Sequence, residues 1–254
     1  MSADNAVYEH VLYEIDDGIA IITLNRPDRL NSYIPAMGDE VVDAFRRAQD
    51  DPEVRVILFT GAGRAFCAGV DLAFLTESAA EPAEKGQSTL GEEDFIRSLP
   101  IEMRNSPKPL IAAMNGHAIG VGVTMTLPCD VRVAAEEAKI GLTFSRLGIL
   151  PGLGSTHLLP HLVGMARAQE LILTGRIVLG QEACDLGLVQ YSVPSDSVMS
   201  TAMDLARQMA EADPTLLALA RKALHEGPAL SLAEAMANEQ ALSAQLRQAR
   251  SDSN

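Results

Sequence analysis

The sequence predicts an α/β fold, and three observations carry that expectation. Runs of β-branched and apolar residues alternate with segments whose apolar residues recur at helical spacing, the pattern of helices laid on a sheet. The most apolar stretch, Leu110 to Cys129, holds no Asp, Glu, Lys or Arg. Asn115, Gly116, His117, Gly120, Gly122 and Pro128 nevertheless break it into buried pieces, which excludes a membrane-spanning helix. Finally, 254 residues, 47% of them hydrophobic, suffice for a substantial core.

Taken in order, Val7–Ile15 and Ile19–Leu24 are β-rich runs around Asp16-Asp17-Gly18, a hairpin turn sequence. Asn25-Arg26-Pro27 ends the second strand. Pro35 opens a helix, with Val41, Val42, Phe45 and Ala48 on its inner face, and Asp51-Pro52 closes it. Val54–Thr60 is a strand. In Ala65–Leu72 the small residues Ala68 and Gly69 make a turn, and Asp71 is placed to cap a following helix.

Leu75–Ser98 changes character: Glu77, Glu81, Glu84, Glu92, Glu93 and Asp94 stand among small residues, which suggests a surface segment. The central stretch divides into a strand at Leu110–Met114, a turn at Asn115–Ile119 and a helix start at Gly120–Leu127. Asp130–Ala134 is a strand, and Ile140–Gly154 is glycine-punctuated and apolar, as a pocket wall would be. Helices follow at Ser155–Val163, Met165–Leu173 and Gln181–Asp185, then a strand at Leu188–Val193. Residues 1–195 form a core. Residues 196–254 form a helical region whose apolar faces (Met199, Met203, Leu216, Leu219) call for cover from another subunit.

A net charge of −14 and a pI near 4.7 exclude nucleic acid as a partner, since phosphate binding needs a basic face. A small anion remains compatible, because a few local arginines dominate a pocket at physiological salt. Cys67, Cys129 and Cys184 indicate neither a disulfide framework nor a zinc site, and no metal is expected. The first residues, MSADNAVYEH, lack a basic end and an apolar run, which fits a cytoplasmic protein with no membrane attachment.

Two glycine turns carry the chemical signal. Glycines between strand and helix let backbone N–H groups approach a ligand, and unpaired N–H groups there hold an anion or an oxygen becoming one. Close helix packing would use the same glycines. Gly61-Ala62-Gly63 follows a strand as a dinucleotide-binding loop does, but the third glycine would fall at Phe66, which disfavours that reading.

The chain resembles the crotonase superfamily, the enoyl-CoA hydratase/isomerase family. The resemblance is carried by Asn25-Arg26-Pro27, AFCAGVDL at 65–72, PLIAAMNGHAIGVG at 109–122 and Cys129-Asp130. It continues through Leu147-Gly148, Pro151, Gly154-Ser155-Thr156, Leu158-Leu159-Pro160, Leu173-Thr174-Gly175, Ala183 and Gly187-Leu188-Val189, covering nearly the whole chain in order. It implies a crotonase (ClpP/crotonase-like) fold, a spiral of ββα units with a C-terminal helical trimerisation region, and homotrimers or homohexamers. It also implies an acyl-CoA thioester as substrate, with coenzyme A present only as part of that substrate and no separate cofactor.

Carried over by position, the resemblance puts an oxyanion hole on the N–H groups of Val70 and Val121, with Ala68, Gly69, Asp71, Leu72 and Gly120 around it. Arg26, Arg29 and Arg64 become candidate neighbours of the CoA phosphates, though each also suits a solvated surface. The departures concern the acids. The two water-handling glutamates of the hydratases correspond to Thr124 and Phe144, and the acid of one isomerase branch corresponds to Gly152. A Thr hydroxyl is a poor base near neutral pH and Phe moves no proton. His117, His157, His161, Thr143, Ser145, Cys67 and the acids at 92–94 remain as substitutes. The sequence thus leaves two readings: an isomerase-like enzyme with an altered proton-transfer group, or a non-catalytic acyl-CoA binder. Both predict that a CoA thioester near millimolar concentration raises the melting temperature while NAD and ATP do not. Equal stabilisation by NAD in a thermal-shift assay would restore the dinucleotide reading of Gly61.

Overall fold

The structure, a computed structural model, describes residues 8–80, 91 and 93–252. The chain opens with a hairpin: β1 (Val11–Asp16) and β2 (Ile19–Leu24) pair antiparallel, closed by Asp17 and Gly18 at φ 48° and 75°. Two successive left-handed residues match the twist of the flanking strands. The expected start at Val7 lies outside the described residues; just before β1 the Glu40 carboxylate accepts the Glu9 and His10 N–H groups at 3.1 and 2.7 Å. A 3-10 turn at Pro27–Arg29 leads to α1 (Pro35–Asp50), which opens on its proline and buries Met37, Val41, Val42, Phe45 and Ala48.

From there the chain repeats one step. β3 (Val56–Gly61) joins a large sheet, β4 (Ala65–Cys67) a small one, and α2 (Leu72–Ala80) follows. After α3 (Asp94–Arg97) and α4 (Leu99–Asn105) come β5 (Leu110–Met114), β6 (His117–Ile119) and α5 (Val121–Thr124). The third round is β7 (Val131–Ala135), β8 (Lys139–Gly141) and α6 (Phe144–Leu147). In each round one strand adds parallel to the large sheet and the next adds parallel to the small sheet. β3 and β5 are buried along their whole length, which explains their unbroken apolar sequences.

The chain continues through α7 (Ser155–Val163), α8 (Met165–Thr174), β9 (Ile177–Leu179), α9 (Gly180–Asp185) and β10 (Tyr191–Val193). It ends in α10 (Val198–Ala210), α11 (Pro214–Glu226) and α12 (Leu232–Asp252). The large sheet has the order β1-β2-β3-β5-β7-β10 and the small sheet β4-β6-β8-β9.

Several expectations are corrected. Asn115–Ile119 is not all turn, since His117–Ile119 is β6. The strand expected at 188–193 is confined to Tyr191–Val193, and β9 went unforeseen. Strands of three residues are too short to display alternation. The helix expected over Gly120–Leu127 is regular only at Val121–Thr124. The supposed surface segment 75–98 contains most of α2 and all of α3, with Phe95 buried beneath Tyr33 at a ring separation of 4.6 Å. Glu81, Glu84 and Glu92, and the side chain of Glu77, lie outside the described residues.

Helix α10 lies on β2, β3, β5 and β7 and buries Val198, Ala202, Met203 and Ala206 there. Met199 packs against the same core, so these methionines have cover within the chain. The helices that reach beyond the core are α11 and α12. Ser231 and Glu234 form a reciprocal cap at the start of α12, the carboxylate accepting from the Ser231 N–H at 2.8 Å. Arg221 ties α11 inward: its Nε donates to Asp130 at 2.7 Å and its other nitrogens to the carbonyls of Ser106 and Met103.

Arg132 is the largest fully buried side chain. It meets carbonyls rather than a carboxylate, donating to Leu188 O at 2.8 Å and Cys129 O at 2.6 Å. Burial pulls its pKa down, with Cys129 and Asp130 opposing. Arg132→Met would fill the space but leave these buried acceptors without donors, each costing ~1–3 kcal/mol. Urea unfolding should therefore show a loss of more than about 2 kcal/mol.

Candidate functional site

The same junction recurs in three successive rounds, where a small-sheet strand hands over to a helix. These junctions are 68–71 between β4 and α2, Gly120 between β6 and α5, and 142–143 between β8 and α6. The first two turn on glycines in the left-handed region, Gly69 at φ 102° and Gly120 at φ 54°. Their successors, Val70 and Val121, present N–H groups that are bonded to no acceptor among the described residues, while Gly120 N donates to Gly141 O at 2.8 Å. The first junction is held firmly. Tyr33 N donates to Gly69 O at 2.7 Å and Asp71 N to Tyr33 O at 2.9 Å, so Tyr33 and Val70 form a parallel bridge. Asp71 caps α2 as expected, accepting from Ala73 N at 3.1 Å and Phe74 N at 3.4 Å.

The two turns lie against each other. A Cβ on Gly69 would sit 3.2 Å from Ile119 O, and one on Gly122 only 2.3 Å from Cys67 O. Gly122 thus permits close packing, while Gly69 and Gly120 supply the left-handed turns that precede Val70 and Val121. Cys67 is fully buried at this contact, and burial pushes its thiol up to about 12, against a nucleophilic role.

None of the three positions where acids were sought carries one. Thr124 is completely buried and its hydroxyl turns back toward Val121 O at 3.4 Å. Phe144 is buried, with its ring edge 4.0 Å from where a Cβ on Gly120 would stand. Gly152 faces open space and lies outside the left-handed region. Leu142 and Leu153 are buried while Leu150 is 91% exposed, so Leu150 is no part of an apolar wall within this chain.

The substitutes are equally unpromising. His117 accepts from Lys139 N at 3.1 Å, a structural role. His157 and His161 are exposed on α7, and Ser145 is exposed at the start of α6. Thr143 is half-buried. Asp94 is exposed and bound to Arg46 at 2.9 Å. Among the described residues no group of three or more His, Cys, Asp and Glu could hold a metal ion.

The arginines divide. Arg26 is engaged, its guanidinium on Asp71 at 3.1 Å and on the Ser32 carbonyl. Burial alone would raise the Asp71 pKa, but Arg26 and the capping amides bring it below its ordinary value. Arg29, Arg64 and Leu72 are exposed, while Ala68 is half-buried. The Gly61-Ala62-Gly63 turn is stitched down by two asparagines. Asn115 accepts from Gly61 N at 3.1 Å and donates to Gly63 O at 2.9 Å, while Asn31 donates to Ala62 O and Ala65 O at 2.9 and 2.8 Å. Its Gly61 and Ala62 amides are thus engaged, Ala62 N donating to Leu24 O at 2.8 Å.

Sequence reasoning missed one group almost entirely. Glu93, named only among the acids at 92–94, is buried, accepting from the Tyr33 hydroxyl at 2.6 Å and from Gly91 N at 2.6 Å. Tyr33 itself was not singled out. Burial and Glu93 push its pKa well above the usual phenol range.

The family model for enoyl-CoA hydratase/isomerase matches residues 14–253. The chain is 37% identical over 218 residues to 1,2-epoxyphenylacetyl-CoA isomerase of Escherichia coli K12, covering 85% of this chain and 82% of that one. It is 34% identical over 234 residues to crotonyl-CoA hydratase of Syntrophomonas wolfei, covering 91% and 87%. The crystal structure of an enoyl-CoA hydratase from Bacillus anthracis superposes with a TM-score of 0.84 at 34% identity, covering 92% and 90%. The chain belongs to the enoyl-CoA hydratase/isomerase family, within the crotonase superfamily, and has the crotonase fold.

The two glycine environments predict opposite responses to a methyl group. Gly122→Ala forces a backbone clash and should cost more than about 2 kcal/mol. Gly152→Ala meets nothing and should be neutral or stabilising by up to ~1 kcal/mol. Denaturant midpoints of the two variants check this.

Proposed function

We propose that this chain binds an acyl-CoA thioester and polarises its carbonyl between the Val70 and Val121 N–H groups, with proton transfer at the carbon beside that carbonyl as its chemistry. The reading is closer to an isomerase than to a hydratase. The observation that carries it is the pair of apposed glycine turns, whose Val70 and Val121 N–H groups have no acceptor among the described residues. A preorganised donor aimed at a developing oxyanion is worth about 3 kcal/mol, and two such donors lower the cost of removing the neighbouring proton.

Hydration asks for more. A carboxylate must orient and deprotonate water, and Thr124, Phe144 and Gly152 supply none. The name of the Escherichia coli relative, an isomerase, agrees with this preference, while several other relatives are named hydratases. Exposed Arg29 and Arg64 are suited to the CoA phosphates, and the Arg26–Asp71 pair to bracing the turn between them. We read the assembly as a homotrimer or homohexamer, in keeping with exposed Leu224, Leu232 and Met236 on α11 and α12, and the location as cytoplasmic. No helix among the described residues is long and apolar enough to cross a membrane. The vacant acid positions equally favour a second reading, an acyl-CoA binder without turnover.

Turnover decides between them. Hydration of crotonyl-CoA by the wild type should be slow by ~10²–10⁴-fold for each missing acid or base. Gly152→Asp has space and an ordinary backbone, so it should fold normally and gain conversion of 3-enoyl-CoA to 2-enoyl-CoA. Rapid hydration by the wild type would overturn the isomerase preference. A folded Gly152→Asp that binds acyl-CoA without turnover would favour the binder.

A further inference from the structure

We infer that Glu93 and Tyr33 form a buried strut that sets the aim of the Val70 N–H, making both of them positioning residues for carbonyl polarisation. The inference rests on the oxyanion reading above and assigns a role to two side chains which that reading leaves unused.

The chain of contacts is continuous. The peptide carrying Val70 is gripped on both sides by one residue, Tyr33 N donating to Gly69 O and Tyr33 O accepting from Asp71 N. The direction of the Val70 N–H therefore follows the position of the Tyr33 backbone. That residue is held by its own side chain, which is 1% exposed. The ring is stacked on Phe95 and its hydroxyl is bound to Glu93 Oε1 at 2.6 Å. The fit is tight: a Cβ on Gly38 of α1 would meet the Tyr33 hydroxyl at 2.6 Å. The second carboxylate oxygen accepts from Gly91 N, so the acid is held from two directions at the start of α3.

The chemistry favours a positioning purpose over simple packing. Glu93 is the one carboxylate among the described residues buried below one-tenth exposure, and burying such a group costs free energy unless it is fully bonded. Phe at 33 and an apolar residue at 93 would pack the same space at less cost. A short, charge-assisted hydrogen bond gives instead a fixed direction, which an apolar contact does not. Direction is the property an oxyanion donor needs, because a misplacement of about 1 Å in a reacting arrangement can cost ~10²-fold.

The test reads carbonyl polarisation directly. Butyryl-CoA labelled with carbon-13 at the thioester carbonyl is bound to the full chain, and infrared difference spectra give the carbonyl frequency relative to free ligand. Affinity is measured alongside by calorimetry. The wild type should lower the frequency. Tyr33→Phe should lose most of that lowering while affinity changes by less than about threefold, since oxyanion contacts favour the charged state over the ground state. Glu93→Ala should behave the same way, and Glu93→Gln, which keeps an acceptor for the hydroxyl, should recover much of the wild-type signal. Arg46→Ala, which loosens the same α1–α3 contact from outside by removing the Asp94 pair, should lower the melting temperature without moving the carbonyl band.

Tyr33→Phe and Glu93→Ala variants that fold and keep the full frequency lowering would overturn the strut. So would a frequency change of equal size in Arg46→Ala, which would make the effect one of general stability. A wild type that binds the ligand without lowering its frequency would overturn the oxyanion reading itself, and that is seen before any variant is made.

Discussion

Two backbones in this fold touch where no side chain fits between them. Gly122 at the start of α5 and Gly116 before β6 press against β4, and Cβ atoms there would lie 2.3 and 2.2 Å from the carbonyls of Cys67 and Arg64. This contact fixes how far the second round of the spiral sits from the first, and the rest follows from that spacing. It brings the Gly69 and Gly120 turns together, and it confines Cys67 and Thr124 to a dry interior.

Such tight layering leaves polar backbone groups at the edges of each round, and the chain satisfies them with a few side chains. Asn31 and Asn115 stitch the 61–65 turn to its neighbours. Arg132 collects carbonyls at the end of the second round, and Tyr33 with Glu93 braces the first. These side chains are buried or half-buried, and all but Arg132, which sits in β7, lie outside the strands and helices. Their hydrogen bonds cost little to make and much to leave unmade.

Much of this architecture was legible in the sequence because its period survives. The apolar faces of α1, α7 and α8 and the branched runs of β2, β3 and β5 announce themselves, and so do the Asp17-Gly18 turn and the Asp71 cap. The small sheet was not legible, since β6, β8 and β9 have three residues each and no room for alternation. The site was half legible. Its glycines are local signals that a strand-to-helix turn explains. Glu93 was hidden among acids of the same composition, and only the distant Tyr33, stacked on Phe95, makes it an interior residue. Such long-range pairing leaves no trace at short spacing.

The Arg221–Asp130 pair has a consequence for how the chain assembles during synthesis. Successive rounds pair through parallel strands, Ile57 with Leu110 and Ile111 with Val131, so each can settle once the next has emerged from the ribosome. Asp130 is different. Its carboxylate accepts from Leu110 N at 2.7 Å within the second round, but its guanidinium partner lies 91 residues further along the chain. Until α11 arrives, that carboxylate has the Leu110 amide but not the Arg221 cation to answer its charge. When it does arrive, Arg221 closes over Ser106 and Met103 as well, sealing the end of α4 in the same act. The bond thus works as a latch: the nascent spiral can form first, but this seam is locked only by a helix made after all three rounds.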